Sequence, residues 1–421
     1  METLEKELKE KEGFKKAILP VVYSYKNKRD AAISPEDRKR ERDTLRKIKE
    51  YSIEHMKELK EKTVAALMGN GIRVITVKDS EDARNEILKI IGKERLIIKA
   101  KSNVASEIGI AKALRDKEMI ETDLGDFLVQ VFDEDEMHPV LPSIHLTPEM
   151  IAQKLNSKFG ADVKPDKEEI VAFVRGYLRE KITKAKVGIT GANAITSDGS
   201  IVILENEGNI SLVSRIPDKH IIISSFEKIV PTLEDALHVV RSSALYGTGQ
   251  KFPAYVSIIS GPSKTADIQN ETVIGAQGAK EVYLVLVDNG RNEILNSDFR
   301  ELLYCINCGA CLNFCPVYHN LARRYGSKYL GAKGVIFSMF DEGQKEAFSN
   351  GAFFCAMCKA CSENCPAGIE LPELMKKLRQ KLVSKGIEPP SVAEMIKNVE
   401  KFGNPFGEVK KGEMPGKLYC C

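Results

Sequence analysis

Between residues 64 and 291, short apolar runs rich in β-branched residues alternate with amphipathic stretches. The amphipathic stretches predict helices over 79–91, 104–117, 147–157, 167–184 and 231–246. Strands that alternate with helices are typical of a mostly parallel sheet covered by helices, so we predict an α/β domain over 64–291. The predicted strands are Ile72–Val77, Leu96–Ala100, Phe127–Phe132, Lys186–Thr190, Ile201–Glu205, His220–Ser224, Ala254–Ser260 and Val282–Val287.

Helical patterns flank this domain on both sides. Residues 35–62 are highly charged and predict one helix that lies either on the next domain or against a partner subunit. After residue 291, apolar residues recur at helical spacing over 334–354 and over Leu371–Gly386. The narrow apolar stripe of the first helix is formed by Leu45, Ile48, Met56 and Leu59.

These patterns divide the chain into four predicted parts. A charged helical segment (1–63) precedes the α/β domain (64–291). An all-α domain (292–386) follows, and a tail (387–421) ends the sequence.

The net charge and the hydropathy of the chain exclude some classes of protein. The 63 basic and 60 acidic residues leave a net charge of +3, which offers no electrostatic footprint for nucleic acid. No apolar run is long enough to cross a membrane, and the charged N-terminus lacks the apolar centre of a secretion signal. We therefore expect a cytoplasmic protein that reaches a membrane, if at all, peripherally through its partners.

Eight of the ten cysteines lie in two short segments that share the spacing C-x2-C-x2-C-x3-C-P. In ferredoxins this spacing wraps three thiolates around one [4Fe-4S] cluster and sends the fourth thiolate to the neighbouring cluster. A disulfide framework or paired zinc sites are the alternatives, but disulfides are rare in large cytoplasmic chains, and zinc sites rarely show this pattern. By the crossover rule, one cluster takes Cys305, Cys308, Cys311 and Cys365, and the other takes Cys355, Cys358, Cys361 and Cys315.

The two motifs begin 50 residues apart, at Cys305 and Cys355. The helical pattern between them indicates a helical ferredoxin domain, of the kind found in iron–sulfur subunits of succinate dehydrogenase and heterodisulfide reductase. Two neighbouring clusters without a flavin motif predict an electron relay whose donor and acceptor lie elsewhere.

Several loops of the α/β domain offer candidate ligand-binding residues. The loop Gly188–Asn193, with Thr190 and Asn193, is either a ligand loop or a plain tight turn. Glu205 and Glu207 would face the same side if the strand continues, as in an α/β ligand crevice, or are solvated strand-end acids.

Other candidates are basic. Lys264 lies in a loop that either binds an anion or forms a turn before a helix N-cap. Lys99 and Lys101, with Ser102, follow a predicted strand. His145 is either a ligand or a packed histidine, since Thr147 is explained by a helix cap. The terminal Cys420 and Cys421 either ligate or dock, or form a free end.

Taken in order, these segments resemble the LutB-type iron–sulfur proteins of lactate utilisation over about residues 30–385. The resemblance continues through the block Cys308–Tyr318 of the first cysteine motif into the second motif. It rests on Lys99–Ser102, Glu121–Gly125, Pro142–His145, Gly188–Asn193, Leu204–Asn209, Glu227–Asp235, Gly261–Asp267 and Asp288–Arg291.

The resemblance implies a LUD domain with a fold related to CoA transferases and ribose-phosphate isomerase, followed by a ferredoxin domain with two [4Fe-4S] clusters. It also implies an electron-transfer subunit of a multi-subunit complex that oxidises L-lactate to pyruvate. Its partners would be a CCG-type cysteine-rich subunit and a second LUD subunit or a flavin dehydrogenase subunit.

Two alternatives accompany that expectation. The stretch Ser197–Gly199 replaces the usual Glu-Thr-Gly of the family, which favours the same relay in a complex for another hydroxyacid, a thiol/disulfide couple or a flavin-based reaction. Alternatively, the LUD domain is itself a CoA-transferase-like enzyme with Glu205 or Glu207 as nucleophile.

Overall fold

The structure is a computed structural model that describes residues 2–409 and 414–416, so Cys420 and Cys421 lie outside the described residues. The strands are β1 (Arg73–Val77), β2 (Leu96–Lys99), β3 (Glu118–Glu121), β4 (Val187–Thr190), β5 (Ala194–Thr196), β6 (Ile201–Glu205), β7 (Lys219–Ser225), β8 (Ile229–Val230), β9 (Tyr255–Ile259), β10 (Lys264–Thr265), β11 (Val273–Ile274) and β12 (Glu281–Val287).

Helices precede, cover and follow these strands. They are α1 (Glu2–Ala32), α2 (Pro35–Glu54), α3 (Met56–Gly69), α4 (Ser80–Ile91), α5 (Asn103–Glu107), α6 (Ile110–Ala113), α7 (Leu124–Phe132), α8 (Pro148–Phe159), α9 (Lys167–Lys184), α10 (Asn209–Arg215), α11 (Leu233–Thr248), α12 (Arg291–Leu295), α13 (Ala310–Asn313), α14 (Pro316–Leu321), α15 (Gly331–Asp341), α16 (Gln344–Ser349), α17 (Ala360–Glu363), α18 (Leu371–Val383) and α19 (Pro390–Phe402).

The α/β domain is built on a six-stranded parallel sheet with the order β1-β12-β7-β4-β2-β3. Successive residues of β7 belong to opposite faces: Ile221 joins one apolar core and Ile222 the other. Both faces are covered by helices, which is why the strands are nearly continuous apolar runs. A second sheet, β8-β5-β6-β9, contains antiparallel pairs and packs beside the first. The predicted α/β class is confirmed.

The strand predicted at Phe127–Phe132 is wrong, because these residues form helix α7. The side chain of Asp123 accepts hydrogen bonds from the amides of Gly125 and Asp126 and so starts the helix. Phe127 and Val131, four positions apart, are buried on one helical face. The sheet strand of this region is β3, which is only four residues long. A short apolar run does not separate a buried helix from a strand by periodicity alone.

Three predicted helices are each divided in two. The helix over 35–62 breaks at His55, and the helix over 104–117 breaks at Gly109, which has a φ of +67°. The stretch 334–354 is largely helical as predicted but breaks at Gly343, with a φ of +124°. At the two glycines the backbone adopts positive φ angles that a side chain disfavours, and the chain changes direction there.

The N-terminal helices pack against both the α/β domain and the cysteine-rich region. Leu45, Ile48, Met56 and Leu59 are all buried within this chain, as the interpretation of a helix lying on its own neighbour requires. Phe14 of α1 meets Tyr318 of α14 edge to face, with ring centroids 5.5 Å apart. The guanidinium Nη1 of Arg29 donates to Asn364 Oδ1 at 2.9 Å.

Candidate functional site

The cysteine-rich region contains two cavities bordered by sulfur atoms. The first also contacts Pro366, Ile369 and Leu371, and the second contacts Pro316, Tyr325 and Pro372. Cys365 and Cys315, the fourth cysteines of the two motifs, have therefore exchanged places, each lying with the other motif. The cysteines of the first cavity are Cys305, Cys308, Cys311 and Cys365. Those of the second are Cys315, Cys355, Cys358 and Cys361, with Cys311 between the cavities.

The two motifs fold alike because equivalent residues adopt the same unusual backbone. Asn307 and Met357, each two positions after the first cysteine of a motif, have φ angles of +59° and +56°. Gly309 and Lys359 follow the second cysteine and have φ angles of +78° and +64°. These left-handed turns curl each loop around its cavity and start a short helix that carries the third cysteine.

No disulfide bond joins the described cysteines, and the two cavities differ in their exposure to solvent. Burial raises the pKa of Cys365 to about 11 and that of Cys361 to about 12, so a bare thiol there stays protonated near neutral pH. Soft thiolate sets of four are what a [4Fe-4S] core requires, and the arrangement fits such a group. Cys358, at the edge of the second cavity, is exposed.

In the part of the chain that the structure describes, no three Cys, His, Asp or Glu side chains are grouped to hold one ion. The described helices also include none that is both long and apolar enough to cross a membrane.

A larger cavity of about 550 Å³ lies between the α/β domain and the first cysteine motif. Its walls include the loops that follow β2, β3 and β4, which end at the same edge of the parallel sheet. In open α/β sheets the ligand crevice lies at the carboxyl ends of the strands. On the opposite side the cavity is closed by Ile306, Asn307 and Cys308. One cavity therefore contacts both the LUD-type loops and a cysteine of the first motif.

Five of the sequence-predicted residues line this cavity, and four do not. One of the five, Ser102, packs closely against Gly191, where a Cβ atom would lie 2.6 Å from Ser102 Oγ. The lining residues are Lys101, Ser102, Asn193, Glu205 and Glu207. The four outside the lining are Lys99, Thr190, His145 and Lys264.

Acidic residues gather at the sheet end of the cavity. Lys101 Nζ lies 3.1 Å from Asp126 Oδ1 in an ion pair. Burial and the nearby Asp126 raise the pKa of Asp123 to about 6. Burial and Asp123 raise the pKa of Glu207 to about 7, although its Oε2 accepts a hydrogen bond from Leu124 N at 3.1 Å. The pKa of Glu207 therefore lies near neutral pH, and that of Asp123 lies below it.

Glu205 and Glu207 do not form a matched pair on one strand face. The strand β6 ends at Glu205, and Glu207 lies in the turn beyond it. Glu205 accepts hydrogen bonds from Ser211 N at 2.8 Å and from Ser257 Oγ at 2.9 Å. The Glu205 carboxylate is thus anchored by neighbouring hydroxyl and amide groups.

Two predicted ligand residues are structural. Lys99 is buried and pairs with Glu121, its Nζ lying 2.8 Å from Oε1 and 2.9 Å from Oε2. Thr190 Oγ1 lies 2.8 Å from Nε2 of the buried His220. Both side chains satisfy buried partners and so do not face the cavity.

The other two residues lie elsewhere on the surface. His145 Nε2 lies 2.6 Å from Glu134 Oε2, outside the cavity lining. Lys264 is exposed on the β10–β11 hairpin, so the turn at 261–267 leads into a strand pair instead of the expected helix cap.

Sequence reasoning missed Lys228, which lines the cavity and is only 6% exposed. It lies three residues after the end of β7, at the carboxyl edge of the sheet, and this position was the available signal. Its ammonium group forms no hydrogen bond or ion pair with the residues that the structure describes. Burial lowers the pKa of Lys228, and the nearby Glu227 opposes this effect. Asn307 and Asn209, which also line the cavity, were missed as well.

A buried ion-pair network joins the two regions beside the cavity. Arg291 donates from Nη1 and Nη2 to both carboxylate oxygens of Glu107, at 2.8 and 2.7 Å. Its Nε donates to Glu227 Oε2 at 2.7 Å. Tyr329, from the cysteine-rich region, donates to Glu107. Burial acts to raise the pKa of Glu227, but the Arg291 guanidinium lowers this pKa to about 2.

Comparison with known proteins gives two family matches. A LUD domain matches residues 60–287, and a 4Fe-4S dicluster domain matches residues 301–369. The chain is similar to lactate utilization protein B of Bacillus pumilus, with 35% identity over 356 residues, 83% of this chain and 73% of the relative. It is 36% identical to lactate utilization protein B of Bacillus cytotoxicus over 79% of this chain and 70% of that one.

An uncharacterized electron transport protein of Escherichia coli, YkgF, is 33% identical over 82% of this chain and 72% of its own length. Among solved structures, a DUF162 family protein from Deinococcus radiodurans aligns with 55% of this chain and 98% of its own. That match has 15% identity and a TM-score of 0.32, a similarity too low to support a conclusion.

Proposed function

Because the chain belongs to the lactate utilization protein B family, with a LUD domain followed by a 4Fe-4S dicluster domain, we propose that it is an iron–sulfur electron-transfer subunit of a lactate-oxidising complex. The observation that carries the proposal is the pair of neighbouring cysteine-bordered cavities, each with four sulfur ligands available. Iron–sulfur clusters supply one-electron transfer when bound.

The proposal assigns each motif's fourth cysteine to the other cluster. Cys365 borders the cavity of the first motif, and Cys315 borders that of the second, which supports the crossover ligand sets. Cys311 borders both cavities, so the two clusters would be close neighbours. Such closeness suits a relay of single electrons.

The positions of the two cavities support a direction for this relay. The first lies inside the protein, with Cys308 also lining the 550 Å³ cavity of the LUD domain. The second reaches the surface at the exposed Cys358, next to the exposed Phe354. We therefore place exchange with a partner at the second cluster.

The proposed partners are a CCG-type cysteine-rich subunit and a second LUD subunit or a flavin dehydrogenase subunit, with any flavin carried by the partner. We place this assembly in the cytoplasm. Another hydroxyacid in place of lactate is the alternative substrate.

The test uses the full chain, purified anaerobically with a tag from its native host. We expect about eight iron atoms per chain, reducible clusters and no lactate oxidation by the isolated chain. The co-purified complex should reduce a dye when lactate is added. Lactate oxidation by the chain alone, or about four iron atoms after full reconstitution, would contradict the proposal.

Matched cysteine variants separate the two clusters. Cys358→Ser removes a ligand of the second cavity, and Cys308→Ser removes a ligand of the first. Each variant should lose the electron paramagnetic resonance signal of one reduced cluster and keep that of the other. The complex should lose dye reduction in both cases, since a relay needs both clusters.

A further inference from the structure

Lys228 is the starting point, because this residue is only 6% exposed and its ammonium group makes no hydrogen bond or ion pair with the described residues, although the nearby Glu227 carboxylate attracts it. Lys49, which is close by, donates its Nζ to the carbonyl oxygen of Glu227. Arg291 is held by two carboxylates, and Lys333 donates to Asn307 Oδ1. Only Lys228 of this group is left without a hydrogen-bonding partner among the described residues. A buried cation without a partner is costly, so its site is made for an anion.

The cavity next to Lys228 has the composition of a ligand site. The carboxamides of Asn193, Asn209 and Asn307 and the hydroxyl of Ser102 supply a few polar groups. Most of the remaining wall is apolar, with Leu128, Val140, Ile210 and Ile306 among its residues. Its volume of about 550 Å³ falls within the range of about 300–1,000 Å³ of ligand pockets.

The charged residues of the lining differ in their pairing. Asp123 and Glu207 follow β3 and β6, Lys101 is paired with Asp126, and Lys228 makes no ion pair with the described residues. A carboxylate ligand is therefore attracted to Lys228. An apolar side chain on the same ligand is accommodated by the apolar wall.

We propose that this cavity binds a short 2-hydroxy or 2-oxo acid, with the carboxylate on Lys228 and beside Cys308. The proposal rests on the proposed function for the acid class. It deepens that function by making the LUD domain a binding site next to the first cluster. The volume exceeds what a three-carbon acid fills, so the class includes acids with longer apolar side chains.

The test measures binding by isothermal titration calorimetry on the anaerobically reconstituted full chain. The probes are pyruvate, 4-methyl-2-oxopentanoate and the neutral lactamide. Lys228→Met removes the charge but keeps the length and apolar character of the side chain. Lys264→Met is the matched control, since Lys264 is exposed on the β10–β11 hairpin away from the cavity.

Both acids should bind the parent chain, and lactamide should not. Loss of one charge-assisted hydrogen bond should weaken acid binding about ten- to hundredfold in Lys228→Met. Binding by Lys264→Met should be unchanged. Because Cys308 lines the cavity, acid binding should also change the resonance signal of one reduced cluster in the parent chain and not in Lys228→Met.

Several results would overturn this inference without touching the proposed function. One is that neither acid binds a chain whose clusters are present and reducible. Another is equal acid binding by Lys228→Met and the parent chain. A third is that Lys228→Met alters the cluster potential while no acid binds either protein, which would make Lys228 a counter-charge for the cluster. The iron content shows whether the chain holds clusters. A chain that holds none would contradict the proposed function and not this inference.

Discussion

Replacing Arg291 by Met should be the most damaging single change in the contact between the α/β domain and the cysteine-rich region. Arg291 is 1% exposed and contacts Glu107 and Glu227, which are both buried. Met fills a similar apolar volume but leaves two carboxylates in the interior without a counter-charge. Removing one partner from a buried ion pair costs about 3–5 kcal/mol.

That cost translates into a measurable change of melting temperature. With an unfolding entropy of about 2.1 cal/mol/K per residue, the 421 residues correspond to roughly 0.9 kcal/mol/K. A loss of 3–5 kcal/mol then lowers the melting temperature by about 3–6 °C if the chain unfolds as one unit. Far-ultraviolet circular dichroism under anaerobic conditions measures this shift.

The pH dependence of the stability tests the same ion pairs independently, because the parent chain and the variant should respond to pH in opposite directions. In the parent chain Arg291 depresses the pKa of Glu227 to about 2. The ionised Glu227 carboxylate therefore stabilises the fold fully above pH 4.5, and this stabilisation is lost as the pH falls from 4.5 towards 2. Without Arg291, burial raises the carboxylate pKa values, and the variant should gain stability as the pH falls from 8 towards 5.

The control for this experiment is Arg73→Met. Arg73 forms an exposed ion pair with Glu281 at 2.8 Å, and such pairs are worth about 0–1 kcal/mol. If Arg291→Met melts within 1 °C of the control and shows the pH slope of the parent chain, the network does not carry the stability assigned to it.

Three further predictions concern the large cavity, the packing of β4 against α10 and the cysteine cavities. Glu207→Gln should remove a loss of stability that the parent chain shows as the pH rises from about 4.5 to 7, because the raised pKa of Glu207 means that the folded state keeps its proton there; identical urea midpoints for both proteins at pH 5 and at pH 8 would contradict this. Gly188→Ala should destabilise the chain by about 1–3 kcal/mol, because the new Cβ would lie 2.1 Å from the Val213 carbonyl oxygen. The control is Gly176→Ala, in the middle of α9, where nothing lies within 4 Å of a new Cβ. It should stabilise the chain by about 1 kcal/mol in the same urea titration. An iron chelator should remove about half of the iron in a fast phase, since Cys358 is exposed and Cys365 is buried, and a single phase in the absorbance decay would refute this.

The iron–sulfur chemistry and the α/β class were predictable because both depend on the spacing of residues that are close in sequence. The spacing from Cys305 to Cys311 specifies a loop that curls around one centre, and the spacing to Cys315 sends the fourth cysteine to the neighbouring centre. Runs such as Val282–Val287 are apolar on both faces, which a parallel sheet covered on both sides requires. The end of a strand is less well marked, and Glu207 was placed on a strand that stops two residues earlier.

The site in the α/β domain was decided by tertiary structure. Lys99 and Lys101 are two residues apart, yet Lys99 is buried against Glu121 while Lys101 reaches the cavity. Lys228 belongs to no sequence motif. It lines a closed cavity only because Asn307 and Cys308, about 80 residues further along the chain, form the opposite wall. Local spacing determines which residues share a loop or a face, but burial and charge pairing depend on which distant segments meet. The sequence by itself therefore determined the iron–sulfur chemistry, and the tertiary structure decided what lies beside it.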